Sequence, residues 1–121
     1  MTERNVRAAC ERAAAAAARA TDGVAFLRPG LTGLLRAAAT SAAGSRYAPP
    51  PEGVRALRNP ADGSWDVELR LTVRRGHRAV EVTRAVRLAV EEATRPVVRG
   101  ADGTDGGRVT VTVTVVVTGI V

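Results

Sequence analysis

Few residues in this 121-residue chain have the types and spacing that do chemistry. His77 is the single histidine and Cys10 the single cysteine. His77 follows Gly76 at a turn into a helical segment. As a general base or metal ligand it needs a partner, and none lies near it in sequence, so a turn or helix-start role is the simpler reading. Cys10 falls on the apolar stripe of the first helix. A nucleophilic thiol needs a lowered pKa and access to solvent, and that position offers neither. One cysteine excludes an internal disulfide and a thiolate zinc site, and one histidine excludes a His-rich metal centre. Glu91 and Glu92 are neighbours on a helix and do not face each other as an acid/base pair. The expectation is a non-enzymatic chain with no catalytic residues, no metal and no cofactor.

Two features could bind rather than react. Gly30-Leu31-Thr32-Gly33 is a GxxG flanked by Arg28 and Arg36. Such a loop clamps backbone phosphates in KH-type single-strand RNA binders. The chain has no aromatic platform on which bases would stack. A chain break followed by a helix start explains the same four residues. The second feature is charge. The eighteen basic residues are all arginine and twelve residues are acidic, giving a formal net charge of +6. Arg70, Arg74 and Arg75 share one end of an exposed strand face, and Arg84 and Arg87 share one helix side. These could meet an acidic partner or nucleic acid, making a small basic nucleic-acid-binding module the alternative function. Asp66, Glu68 and Glu81 interleave with them, as on an ordinary solvated face. An all-arginine basic set with an Ala/Val/Gly bias is also what a high-GC genome produces, so part of the charge is a codon effect.

These residues must be positioned by a small number of elements. Thr2 can cap a helix whose stripe is Val6, Ala9, Cys10, Ala13, Ala17 and Ala20, with Arg4, Arg7, Glu11, Arg12 and Arg19 mostly off it. Thr21-Asp22-Gly23 ends that helix, Gly23 suiting a left-handed cap. Val24 to Leu27 is a brief strand. Leu31, Leu34, Leu35 and Ala38 suit a short helix. A Ser/Gly/Pro-rich loop covers about 40–53 and includes Pro49 to Pro51. Val54 to Arg58 is a short strand, and Asn59 to Gly63 has turn chemistry. From Trp65 to Val73 apolar and polar residues alternate, with Trp65, Val67, Leu69, Leu71 and Val73 inward and Asp66, Glu68, Arg70, Thr72 and Arg74 outward. The two strands form a hairpin.

A helix from about Ala79 to Thr94 follows. Its stripe is Val82, Ala85, Val86, Ala89 and Ala93, and Pro96 is expected to stop it. The loop then spans about 96–108. Val109 to Thr118 is the strongest strand, with Val109, Val111, Val113, Val115 and Val117 on one face and no charge along it. Such a strand is either central in its sheet or an edge that invites another copy or a partner segment. Val109, Val111, Val113 and Val115 therefore join the arginines Arg70, Arg74, Arg75, Arg84 and Arg87 as candidate interaction residues.

Length and composition fit one domain over 1–121. Hydrophobic residues make up 45% of the chain but aromatics only 2%, so the core must rest on Ala, Val and Leu. No run approaches the ~20 apolar residues of a membrane span, and no signal-peptide core fits among the charges at the N-terminus. The reading is a reduced, cytoplasmic protein. Its fold class is α+β: a small three- to four-stranded, mainly antiparallel sheet with two longer helices on one face.

The order of elements resembles the alkaline shock proteins of the Gram-positive envelope stress response. Three stretches carry the resemblance: the helix ending Ala20-Thr21-Asp22-Gly23-Val24-Ala25-Phe26-Leu27, the hairpin from Gly53-Val54 into Arg75-Gly76 with its following helix Val80 to Ala93, and the terminal Val-x-Val strand ending Thr118-Gly119-Ile120. These motifs are apolar and glycine patterns without a chemical signature. That family usually has an extra short strand before the first helix, whereas this sequence starts at that helix. The resemblance implies a cytoplasmic, non-enzymatic bacterial protein that forms homo-oligomers. It also implies recruitment to the membrane by a separate anchored protein and a link to envelope stress. It brings no catalytic residues.

Overall fold

The structure is a computed structural model that describes residues 2–28, 53–102 and 110–121. Helix α1 (Glu3–Arg19) starts at Thr2, whose Oγ1 accepts from the Asn5 N–H at 3.2 Å. Its C-cap is Ala20 in a right-handed conformation, not Gly23, which instead leads into the first strand with φ +93°, a conformation that costs glycine little. Strands β1 (Val24–Leu27), β2 (Val54–Arg58) and β3 (Trp65–Val73) follow, then helix α2 (Ala79–Asp102) and strand β4 (Val111–Ile120).

β3 is the spine of the sheet. β1 pairs antiparallel with its second half and β2 antiparallel with its first half. β4 runs parallel along its whole length, from Trp65 opposite Val111 to Val73 opposite Ile120. A strand has two edges. The Arg70 and Arg74 N–H groups bond towards β2 and β1, whereas the Trp65 N–H and Val73 C=O bond towards β4. β1 and β2 therefore lie end to end along one edge of β3, and β4 occupies the other. The parallel pairing follows from α2, because a helical crossover returns the chain to the start of the strand it left.

The hairpin turn holds itself together with side chains. Asn59 Oδ1 accepts from the Ala61 N–H, Asp62 Oδ1 accepts from both the N–H and the hydroxyl of Ser64, and Gly63 takes φ +75°.

Both helices cover one sheet face, so the architecture is α+β. α1 packs on β1 and β2, α2 packs on β4, and the helices pack on each other. The core joins Val6, Cys10, Ala14 and Ala18 of α1 to Trp65, Val67, Leu69, Leu71 and Val73 of β3 and to Val82, Val86, Val90 and Val98 of α2. Apolar burial on this scale, at about 25 cal/mol per Å2, is the main stabilising term.

Several expectations are corrected. Pro96 does not stop the second helix, and residues 96–102 are not loop, because α2 continues through Pro96 to Asp102. A proline leaves the carbonyl four residues earlier without its donor. Here that residue is Glu92, and both Glu92 and Pro96 are exposed, so the interruption lies on the solvent side of the helix. The stripe Val82, Val86, Val90, Thr94, Val98 meanwhile continues across the proline and stays buried. Ala85, placed on the stripe, is exposed, and Ala89 and Ala93 are only half-buried. The hydroxyl of buried Thr94 donates to the Val90 carbonyl at 2.7 Å, which satisfies it within the helix.

In α1 the buried face is Val6, Cys10, Glu11, Ala14, Ala15 and Ala18, while Ala20 is exposed and Ala9 and Ala13 are half-buried. Glu11, assigned to the outer side, is therefore inside. On β3, Thr72 is buried although it belongs to the outward set. The short helix placed at Leu31 to Ala38, the body of the proline-rich loop up to residue 52, and residues 103–108 lie outside the described residues. Of that loop only Gly53 is described, and it is buried with φ +81°.

Candidate interaction edge

β4 is a ten-residue strand without a charged side chain. In a parallel ladder each strand's backbone groups alternate between its two edges. Trp65 donates to the Thr110 carbonyl and Val121 donates to the Val73 carbonyl, so the β4 groups that reach β3 are those of Thr110, Thr112, Thr114 and Val116. The N–H and C=O groups of Val111, Val113, Val115 and Val117 then point away from β3. No described strand pairs with that edge. Among the described residues β4 is thus an edge strand and not a central one.

The side chains along this edge are apolar and incompletely covered. Val113 is buried, but Val111, Val115 and Val117 are half-buried against the core. Ile120 and Val121 at the end are exposed by more than half. Past Val117 the register slips by one residue, so that Thr72 faces Gly119. Thr118 is the extra residue, and its hydroxyl donates to the Leu71 carbonyl at 3.1 Å and lies 3.4 Å from the Thr72 hydroxyl. A bulge of this kind twists one end of an edge. It leaves the stretch from Val111 to Val117 regular. Val109, grouped with these valines from sequence, lies outside the described residues.

The candidate arginines are not brought together. Arg70 projects from the face opposite the helices and pairs with Glu68 at 3.6 Å. Arg74 and Arg75 lie exposed beyond the end of β3, where the Arg74 N–H donates to the Gly23 carbonyl and the Arg75 N–H to the Val121 carbonyl. Arg84 and Arg87 are exposed on α2, in the other layer. Sequence reasoning missed the partners of Arg70 on its own face: Arg55 and Arg28 flank it, and the Arg28 guanidinium lies over the Phe26 ring, 5.6 Å from its centroid. The alternation of β1 and β2 would have revealed this had their pairing been known.

The remaining candidates are placed as follows. His77 is exposed in the turn before α2, its N–H bonded to the Arg74 carbonyl at 3.2 Å and its ring beside Gly23. Cys10 is fully buried, and burial, with the Glu11 carboxylate next to it, pushes its thiol up to about 11. A thiol so placed stays protonated near neutrality and does not act as a nucleophile. Among the described residues no group of three His, Cys, Asp or Glu side chains could hold a metal, and no helix is long and apolar enough to cross a membrane. Gly30-Leu31-Thr32-Gly33 lies outside the described residues. No family model, no curated protein and no solved structure matches the chain.

Proposed function

We propose that this chain is a non-enzymatic, self-associating scaffold whose copies join through the free edge of β4. The observation that carries the reading is the character of that edge. β4 is the longest strand, ten residues, and none of them is charged or proline. Natural sheets usually protect such an edge with charges, prolines or short length. The opposite edge of this sheet is protected in that way, since β2 has five residues and carries Arg55 and Arg58. An unprotected edge beside a protected one fits a strand that is covered by another copy. Backbone bonds would supply the affinity and the valine rim would be removed from water. The resemblance to the alkaline shock proteins extends the proposal to a cytoplasmic role in envelope stress, with recruitment to the membrane by an anchored protein partner.

Size-exclusion chromatography with light scattering tests the self-association. The wild-type chain should exceed monomer mass at micromolar concentration. Val115→Pro, which removes an N–H pointing away from β3, should be folded and monomeric. A wild-type chain that stays strictly monomeric at high micromolar concentration would overturn the proposal. The alternative of a basic nucleic-acid-binding module has weaker support, because its arginines sit in two layers and Arg70 is already paired with Glu68. Retention of single-stranded RNA on filters at low salt, lost at high salt, would revive it.

A further inference from the structure

β1 and β2 are separate in sequence but continuous in space. Leu27 lies opposite Leu71 and Val54 opposite Leu69. The chain thus advances 27 positions from Leu27 to Val54 while its partner advances two, which leaves 25 residues, 29–53, extra to the pairing. The position between them is shared. The Arg28 N–H donates to the Arg70 carbonyl at 2.8 Å, and the Arg70 N–H donates at 2.8 Å to the Gly53 carbonyl. In an ordinary antiparallel pair one residue both gives and takes these two bonds. Here Arg28 supplies the donor and Gly53 the acceptor.

The two backbones also touch. A Cβ on Gly53 would lie 2.7 Å from the Arg28 carbonyl oxygen and 2.9 Å from its nitrogen, and Gly53 adopts φ +81°. Inward and outward alternation runs unbroken across the junction: Leu27 is buried, Arg28 exposed, Val54 buried, Arg55 exposed and Ala56 buried.

We infer that β1 and β2 are two halves of one strand, and that residues 29–53 are a segment inserted into it without change of register, with Gly53 standing in for the carbonyl that Arg28 would supply in an uninterrupted strand. The parent unit is then a long hairpin followed by the α2 crossover. Its two junctions, Arg28 and Gly53, lie at the sheet edge opposite β4. This inference stands apart from the proposed self-association, because it rests on the pairing of β1 and β2 alone.

The test is a set of three deletions that join Arg28 to residue 53, 54 or 55, removing 29–52, 29–53 or 29–54. Removing 29–53 should keep a cooperative thermal transition at or above the wild-type midpoint, with Phe26, Arg28 and Arg70 amides still protected from exchange. Removing 29–52 or 29–54 slips the register by one, turns Val54 or Arg55 to the wrong face and should lower the midpoint by ten degrees or more, on the order expected for a few kcal/mol. Failure of the 29–53 deletion to fold, or equal midpoints for all three, would overturn the inference. In the full chain, a protease cut engineered between residues 29 and 52 should leave the two pieces associated with the transition retained. Separation of the pieces on cutting would also overturn it. Oligomeric mass read on the same samples reports on the β4 edge separately.

Discussion

Cys10 and Gly23 show how single residues are held by neighbours from other elements. The Cys10 thiol is raised from 9.0 to about 11 by burial and then by the Glu11 carboxylate. A raised acid binds its proton more tightly in the folded state. Below pH 9 both states are protonated and stability is unaffected. Between about 9 and 11 the unfolded chain releases the proton first, so stability falls with rising pH, by at most about 1.4 kcal/mol per pH unit. Denaturant titrations at pH 8, 9 and 10 should show this slope in the wild type and lack it in Cys10→Ala. The thiol should also resist a disulfide reagent until the chain is unfolded.

At Gly23 (φ +93°) an added Cβ would lie 2.6 Å from Val82 Cγ2 and 3.0 Å from His77 Nδ1. Gly76 has φ +95° with nothing within 4 Å. Gly76→Ala should therefore cost about 1–2 kcal/mol, the conformational term alone. Gly23→Ala should cost more, because α2 must also give way. Paired urea unfolding curves measure the difference.

Pro96 and the two strand edges belong to the scale of elements. A proline at an exposed helix interior is destabilising by up to about 3 kcal/mol relative to alanine. α2 tolerates it because Val98 remains buried on the far side. Pro96→Ala should therefore stabilise the chain by about 1–3 kcal/mol in thermal or denaturant unfolding, whereas Val98→Ala should destabilise it. The strand alternation was legible at this scale. Trp65 to Val73 reads as one face in and one face out, and the structure agrees except at Thr72. The alanine run of α1 was not legible, since six like residues in a row carry no direction around a helix. That is why Glu11 was misplaced. The extent of α2 was misread because local proline chemistry outweighed the apolar spacing that continues to Val98.

For the whole molecule the distribution of charge matters more than its sum. Among the described residues the charged side chains lie on both helices, on β2 and β3 and in the turns, while β4 carries none. Association through that edge should be insensitive to salt, with a dissociation constant that changes less than about twofold between about 0.05 and 0.5 M NaCl. Association through the arginines would weaken steeply over the same range. Light scattering across that series separates the two.

By itself the sequence determined the α+β class, the cap at Thr2, the Asn59 to Gly63 turn, and which face of β3 and β4 is apolar. All of these depend on residues a few positions apart, where side-chain period and backbone conformation act directly. Only the tertiary structure decided that β4 pairs in parallel and stands at an edge among the described residues, that Arg28 and Gly53 meet at Arg70, and that the candidate arginines lie in different layers. Those facts depend on pairings between distant segments. Register and edge are properties of two strands together, and neither strand's own sequence contains them.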